Sequence, residues 1–179
     1  MSDADFPESL LPRLRTAQIL ATALILGLVA FVVIILFLRT ANPKPPPPLP
    51  IITYVAVFFV AICLMASVFV PNLILANFRK QIARGKQPST SAAWPPPPED
   101  AALWLNLYQT ALIIGLALLE GSAYFQLIAY QLESQPISLG VAGGLLLCMM
   151  LRFPTRAGVW RWIENQRELV EREKQDRGT

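Results

Sequence analysis

Four long apolar runs divide this chain, and polar or proline-rich segments separate them. The first run, 16–38, reads TAQILATALILGLVAFVVIILFL. As a helix it would cover about 35 Å, enough to cross a bilayer with some tilt. The second, 51–70, is rich in Val, Phe, Ile and Ala, and Pro71 is expected to end or kink it. The third, 105–132, follows Asp100, a residue suited to an N-cap. The fourth, 136–153, begins on Pro136 after a short polar turn over 131–136 and stops before Pro154. The pattern predicts an all-α membrane protein: a four-transmembrane-helix bundle.

Between the runs the composition changes. Residues 1–15 form a polar cytoplasmic lead in which Pro7-Glu8-Ser9 could start a helical turn. Residues 39–50, RTANPKPPPPLP, favour a stiff polyproline II spacer, with recognition by a Pro-binding partner as the second reading. The stretch 72–86 reads as an amphipathic juxtamembrane helix with Arg79, Lys80, Arg84 and Lys86 in water. A Pro-rich linker, 87–100, divides two halves, 16–86 and 101–154. The tail 155–179 predicts a charged helix, with Arg161/Glu164, Arg167/Glu171 and Glu168/Arg172 spaced for surface pairs. It reads either as a docking helix or as a solvated tail.

One residue stands out against the apolar background. Glu120 lies near the middle of the third run, where an acidic side chain costs roughly 2.5–3.5 kcal/mol to insert. Such a group is expected to be protonated and turned toward protein. Ala117, Glu120, Gly121 and Tyr124 share a face at helical spacing, and Gln109 and Gln131 lie three turns before and after. This small, polar stripe is the expected buried face, with Tyr124 the local partner of Glu120. Two small pairs, Ala23/Gly27 and Gly140/Gly144, are expected to mark close helix packing, with Gly143 beside the second.

Composition narrows the chemistry. The chain has 179 residues, 54% of them hydrophobic, and a mean hydropathy of +0.48. It has no histidine, so Ser–His and Cys–His pairs and the commonest metal ligand are excluded. Cys63 and Cys148 both fall inside apolar runs and read as buried, reduced thiols. No enzyme, metal site or cofactor is indicated. The net charge of +3 follows from topology rather than from nucleic-acid binding. With the N-terminus inside, the cytoplasmic segments hold thirteen Lys and Arg, and the outer connectors hold only Arg39 and Lys44. Both termini are therefore expected in the cytoplasm, the chain being retained in the cell membrane with its first run uncleaved. Trp104 and Tyr108 would sit at the inner interface, Tyr54 and Tyr130 near the outer one.

The first and third runs align without gaps at an offset of 94, with nine identities in 23 positions, among them Ala23/Ala117 and Gly27/Gly121. Each half also ends in a second run, a proline and an aromatic, basic segment. This predicts two tandem helix-hairpin repeats with the same orientation. Leu26 stands where the second half has Glu120.

The segment ALLEGSAYFQLIAYQL resembles the carboxylate helix of rotary ATPase proteolipid subunits. Ala117, Glu120 and Gly121 match the residues around the ion-binding acid, and Ile128 and Ala129 match further on. The likeness covers about sixteen residues and implies an exchanging acid at Glu120. Two departures stand against it: the acid is on the first helix of its hairpin, and a GxGxGxG helix is missing. As a whole the chain resembles small bacterial four-span inner-membrane proteins with an A-L-L-E-G motif in span three, here 117–121. The expected role is packing or assembly with another membrane protein or with a second copy, in the bilayer and without nucleic acid. The alternative is a proton- or cation-handling transporter, channel subunit or proteolipid-like carrier.

Overall fold

A computed structural model describes residues 10–41, 49–83 and 100–178. They form five helices: α1 (Leu11–Ala41), α2 (Ile51–Ala83), α3 (Asp100–Glu133), α4 (Pro136–Leu151) and α5 (Arg156–Gly178). No strand occurs among the described residues. The expected turn at 7–9, most of the proline connector and the linker up to residue 99 lie outside them. Helices α1, α2 and α3 are each long and apolar enough to cross a membrane. Helix α4 has 16 residues and counts as a fourth candidate only when taken with α5 across the break between them.

Helices α1, α2 and α3 run past their apolar stretches, because the flanking residues are still good helix formers, whereas α4 stops at Leu151, short of the expected 153. The largest departure from expectation is at Pro71, which neither ends α2 nor separates it from its extension; the helix is continuous through it. A proline inside a helix has no N–H and leaves the carbonyl four residues back unpaired. That carbonyl belongs to Ser67. It is approached by the Arg152 guanidinium at the end of α4, whose Nη1 lies 3.5 Å from Ser67 O and whose Nη2 lies 3.3 Å from Ser67 Oγ. Gly115 of α3 makes the room: a Cβ there would stand 3.0 Å from Arg152 Nη1.

The turn between α3 and α4 is shorter than expected. Ser134 takes a left-handed conformation, with φ 61°, and its N–H donates to Tyr130 O. Gln135 then precedes Pro136 at the start of α4. Left-handed termination followed by a proline start gives a tight αα-hairpin.

The described residues fall into two compact units. The first draws on residues 10–18, 70–83, 100–112 and 154–178. Its core joins Leu10, Leu14, Leu75, Trp104, Leu105 and Ile163. Helix α5 buries Val159, Ile163, Gln166 and Val170 along one stripe, so the tail helix docks on its own chain. Trp162 packs edge-on against both Trp104 and Tyr108. Arg79 donates to Gln166, and Gln18 to the carbonyl of Pro154.

The second unit, Ile19–Phe69 with Ile113–Phe153, is organised by a different rule. Its buried positions repeat every 3.5 residues: Thr53, Ala56, Val60, Cys63 and Ser67 on α2, and Ser138, Ala142, Leu145 and Met149 on α4. Leu119, Ser122, Gln126, Ala129 and Glu133 do the same on α3, and Ala21, Leu28 and Ile35 on α1. This is the seam of left-handed helix packing, and in it small and polar residues outnumber large ones. Many large apolar side chains point outward, among them Leu26, Phe37, Phe58, Met65 and Leu147. Helices apolar on all sides, with small residues inside, suit a hydrocarbon surround.

Candidate functional site

Glu120 sits on α3 within the second unit. Its neighbour one turn on, Tyr124, donates its hydroxyl to Glu120 Oε1 at 3.1 Å, as expected from their spacing. Across from them lies Gly27 of α1. A Cβ at Gly27 would stand 3.3 Å from the Tyr124 hydroxyl and 3.7 Å from Glu120 Oε1. The Tyr124 ring meets Phe31 edge-on, with centroids 4.9 Å apart. The absent side chain at Gly27 thus lets a carboxyl and a phenol fit between two helices.

The stripe is not the sealed face of α3. Glu120 and Tyr124 are half-buried, while Ala117 and Gly121 are exposed. None of the described residues lies within 4 Å of a Cβ built on Gly121. Ala23 on α1 is likewise exposed. Of the expected packing glycines, Gly27 makes a close approach; Gly140 and Gly144, with Gly143, have none of the described residues within 4 Å of a built Cβ. Small residues ease close approach without choosing the partner, and in lipid an exposed glycine costs no hydration. Between Ala23 and Gly27 on one side and Ala117 and Gly121 on the other, the Glu120 site opens outward.

The two glutamines of the stripe do not join the carboxyl. Eleven residues of helix place each about 16 Å away. Gln109 belongs to the first unit, where its amide donates to the carbonyl of Arg13, and Arg13 in turn donates to Asn106 Oδ1 at 3.2 Å. Gln131 is half-buried, and its Oε1 is enclosed with no described partner.

A second acid carries more structure than the first. Glu133 closes α3 just beyond the apolar segment 105–132. Its carboxylate accepts the backbone N–H of Ile52 at 2.8 Å and that of Thr53 at 2.7 Å, one on each oxygen. These are orphan donors at the start of α2, and Pro50 before them has no side-chain oxygen to offer. Thr53 Oγ1 also meets Ser138 Oγ of α4 at 3.3 Å. Local spacing does not single out Glu133, which stands in a polar turn; the sequence signal for it is Pro50, which leaves a helix start without its own cap.

Among the described residues no group of three or more Cys, Asp or Glu could hold a metal ion. Cys63 is buried and Cys148 half-buried, and both are free thiols. No protein-family model, no curated protein and no solved structure matches this chain.

Proposed function

We propose that this chain is an integral membrane protein of the assembly or accessory kind, which seats another transmembrane helix against the Glu120 groove. The carrying observation is the half-open carboxyl: one oxygen is engaged by Tyr124 above Gly27, and the flank along Ala23, Ala117 and Gly121 stands open. Small residues on both sides admit a helix at close range, and a neutral carboxyl offers one strong hydrogen bond away from water. The occupant is a helix with a hydrogen-bond acceptor at that depth, a side-chain carbonyl or hydroxyl oxygen, to take the free carboxyl O–H. Among the described residues Glu120 pairs with a tyrosine and with no second acid and no Lys or Arg, which speaks against a relay.

In this proposal four spans form two tandem hairpins with both termini in the cytoplasm. Contact spacing supports the repeat. Arg13 meets Asn106 at a separation of 93, and Phe31 meets Tyr124 at the same separation, one less than the sequence offset of the two runs. Thr53 with Ser138 and Ser67 with Arg152 are both 85 apart, so α2 and α4 run side by side in one direction. The distribution of Lys and Arg supports the orientation.

The test is labelling of Glu120 by an apolar carbodiimide in intact membranes, with Glu120→Gln as control, alongside recovery of the assembled species. Labelling at neutral pH that is blocked once the assembly forms is the expected result. Labelling slowed by one particular cation, with a sharp pH midpoint, would replace this reading with ion handling.

A further inference from the structure

The face of α3 that looks toward α2 and α4 is a separate matter from the Glu120 groove. Gly115, Ser122, Gln126 and Glu133 are spaced by seven, four and seven residues, so they lie on one line. Its two ends are tied to α2: Gly115 lies beside Ser67 O and Arg152 Nη1, and Glu133 caps Ile52 and Thr53. Gln126 therefore faces the same seam. It is 0% exposed, and neither Nε2 nor Oε1 has a hydrogen-bond partner among the described residues.

A primary amide buried in this way is costly unless its donors and acceptor are met. Among the described residues the facing helices give it no hydrogen-bond partner. Phe125 packs edge-on against Phe59, which fixes the depth on α2, where the buried neighbours are Ala56 and Val60. The constant separation of 85 carries that depth to Ala142 and Leu145 on α4. Ala56 and Ala142 are small, so the polar amide is set against two of the seam's least bulky positions.

We infer that the α2–α3–α4 seam binds water in the membrane, with the Gln126 amide as its principal ligand. The amide presents both donors and an acceptor, which water matches and a bare ion does not. The nearest carboxylate on the line, Glu133, is two turns away, about 10 Å. Ser122, one turn away, donates its hydroxyl to Leu119 O and keeps its lone pairs free to accept from the same water. Polar groups thus mark the seam from the Ser67–Arg152 end to the Thr53–Ser138–Glu133 end, with Gln126 between them.

The experiment is water-edited solid-state NMR on the full chain in lipid bilayers. Carbonyl-labelled Phe with nitrogen-labelled Gln identifies the residue without a variant, because Phe125-Gln126 is the one Phe-Gln step in the sequence. Magnetisation from water is expected at the Gln126 side-chain amide, as at the exposed Gln175, and absent from the side chains of Leu119 and Leu127. No transfer to the Gln126 amide while Gln175 receives it would overturn the inference. So would a direct correlation of that amide with a protein carbonyl in place of water.

Discussion

Helix α3 presents two polar stripes, and their surroundings differ. One carries Glu120 and Tyr124 beside exposed Ala117 and Gly121; the other carries Gly115, Ser122, Gln126 and Glu133, facing α2 and α4. On the first, the polar groups bond to one another and the small residues are open. On the second, the two ends reach other helices: Glu133 caps α2, and Gly115 admits Arg152 to the Ser67 carbonyl, while Ser122 bonds within α3. Polarity alone does not say which face of an apolar helix is sealed. What separates the two is whether a neighbouring backbone has lost a partner, as the start of α2 has after Pro50 and as Ser67 has before Pro71.

The two stripes can be told apart by substitution, most strongly at the glycines. Gly115→Leu should destabilise the folded protein by about 2–4 kcal/mol, since overpacking here also expels Arg152 from a carbonyl that Pro71 leaves unpaired. Unfolding in mild detergent with graded denaturant measures it. A change below the scatter of that assay would mean that the Arg152 contact contributes little.

The Glu133 cap comes next. Glu133→Ala should lower the thermal midpoint by a few degrees, with Glu133→Gln intermediate because its amide oxygen can replace only one of the two acceptors. An unchanged midpoint in both variants would remove the cap from the account.

The Glu120 pair should matter less to folding. Tyr124→Phe removes one hydrogen bond and is expected to cost about 0.5–1 kcal/mol in the same unfolding assay. A cost of several kcal/mol would instead place Glu120 among the sealed groups.

These differences explain what could be read in advance. The four apolar runs, the helical class and the Glu120–Tyr124 contact follow from local spacing. The buried seam does not, because Leu and Val outside it match the lipid as well as Leu and Val inside it would, and the hydrophobic pattern carries no direction. Ala56, Cys63 and Ala142 look unremarkable in sequence, although they lie on the seam at a 3.5-residue period. The continuity of α2 through Pro71 was hidden for another reason. The group that relieves the proline, Arg152, comes from a helix 85 residues away.

The smallest effect is the most diagnostic. Gly121→Leu adds a side chain where nothing lies within 4 Å, so the isolated chain should keep its stability to within about 0.5 kcal/mol. The same bulk fills the space beside Glu120 that a partner helix would need. If the groove seats such a helix, the variant folds normally and fails to assemble, which size analysis in mild detergent and cross-linking in membranes would both report. Intact assembly with Leu at 121 would move the partner off this face. Loss of folding would mean that the open stripe is sealed after all, and the contrast with Gly115 would vanish.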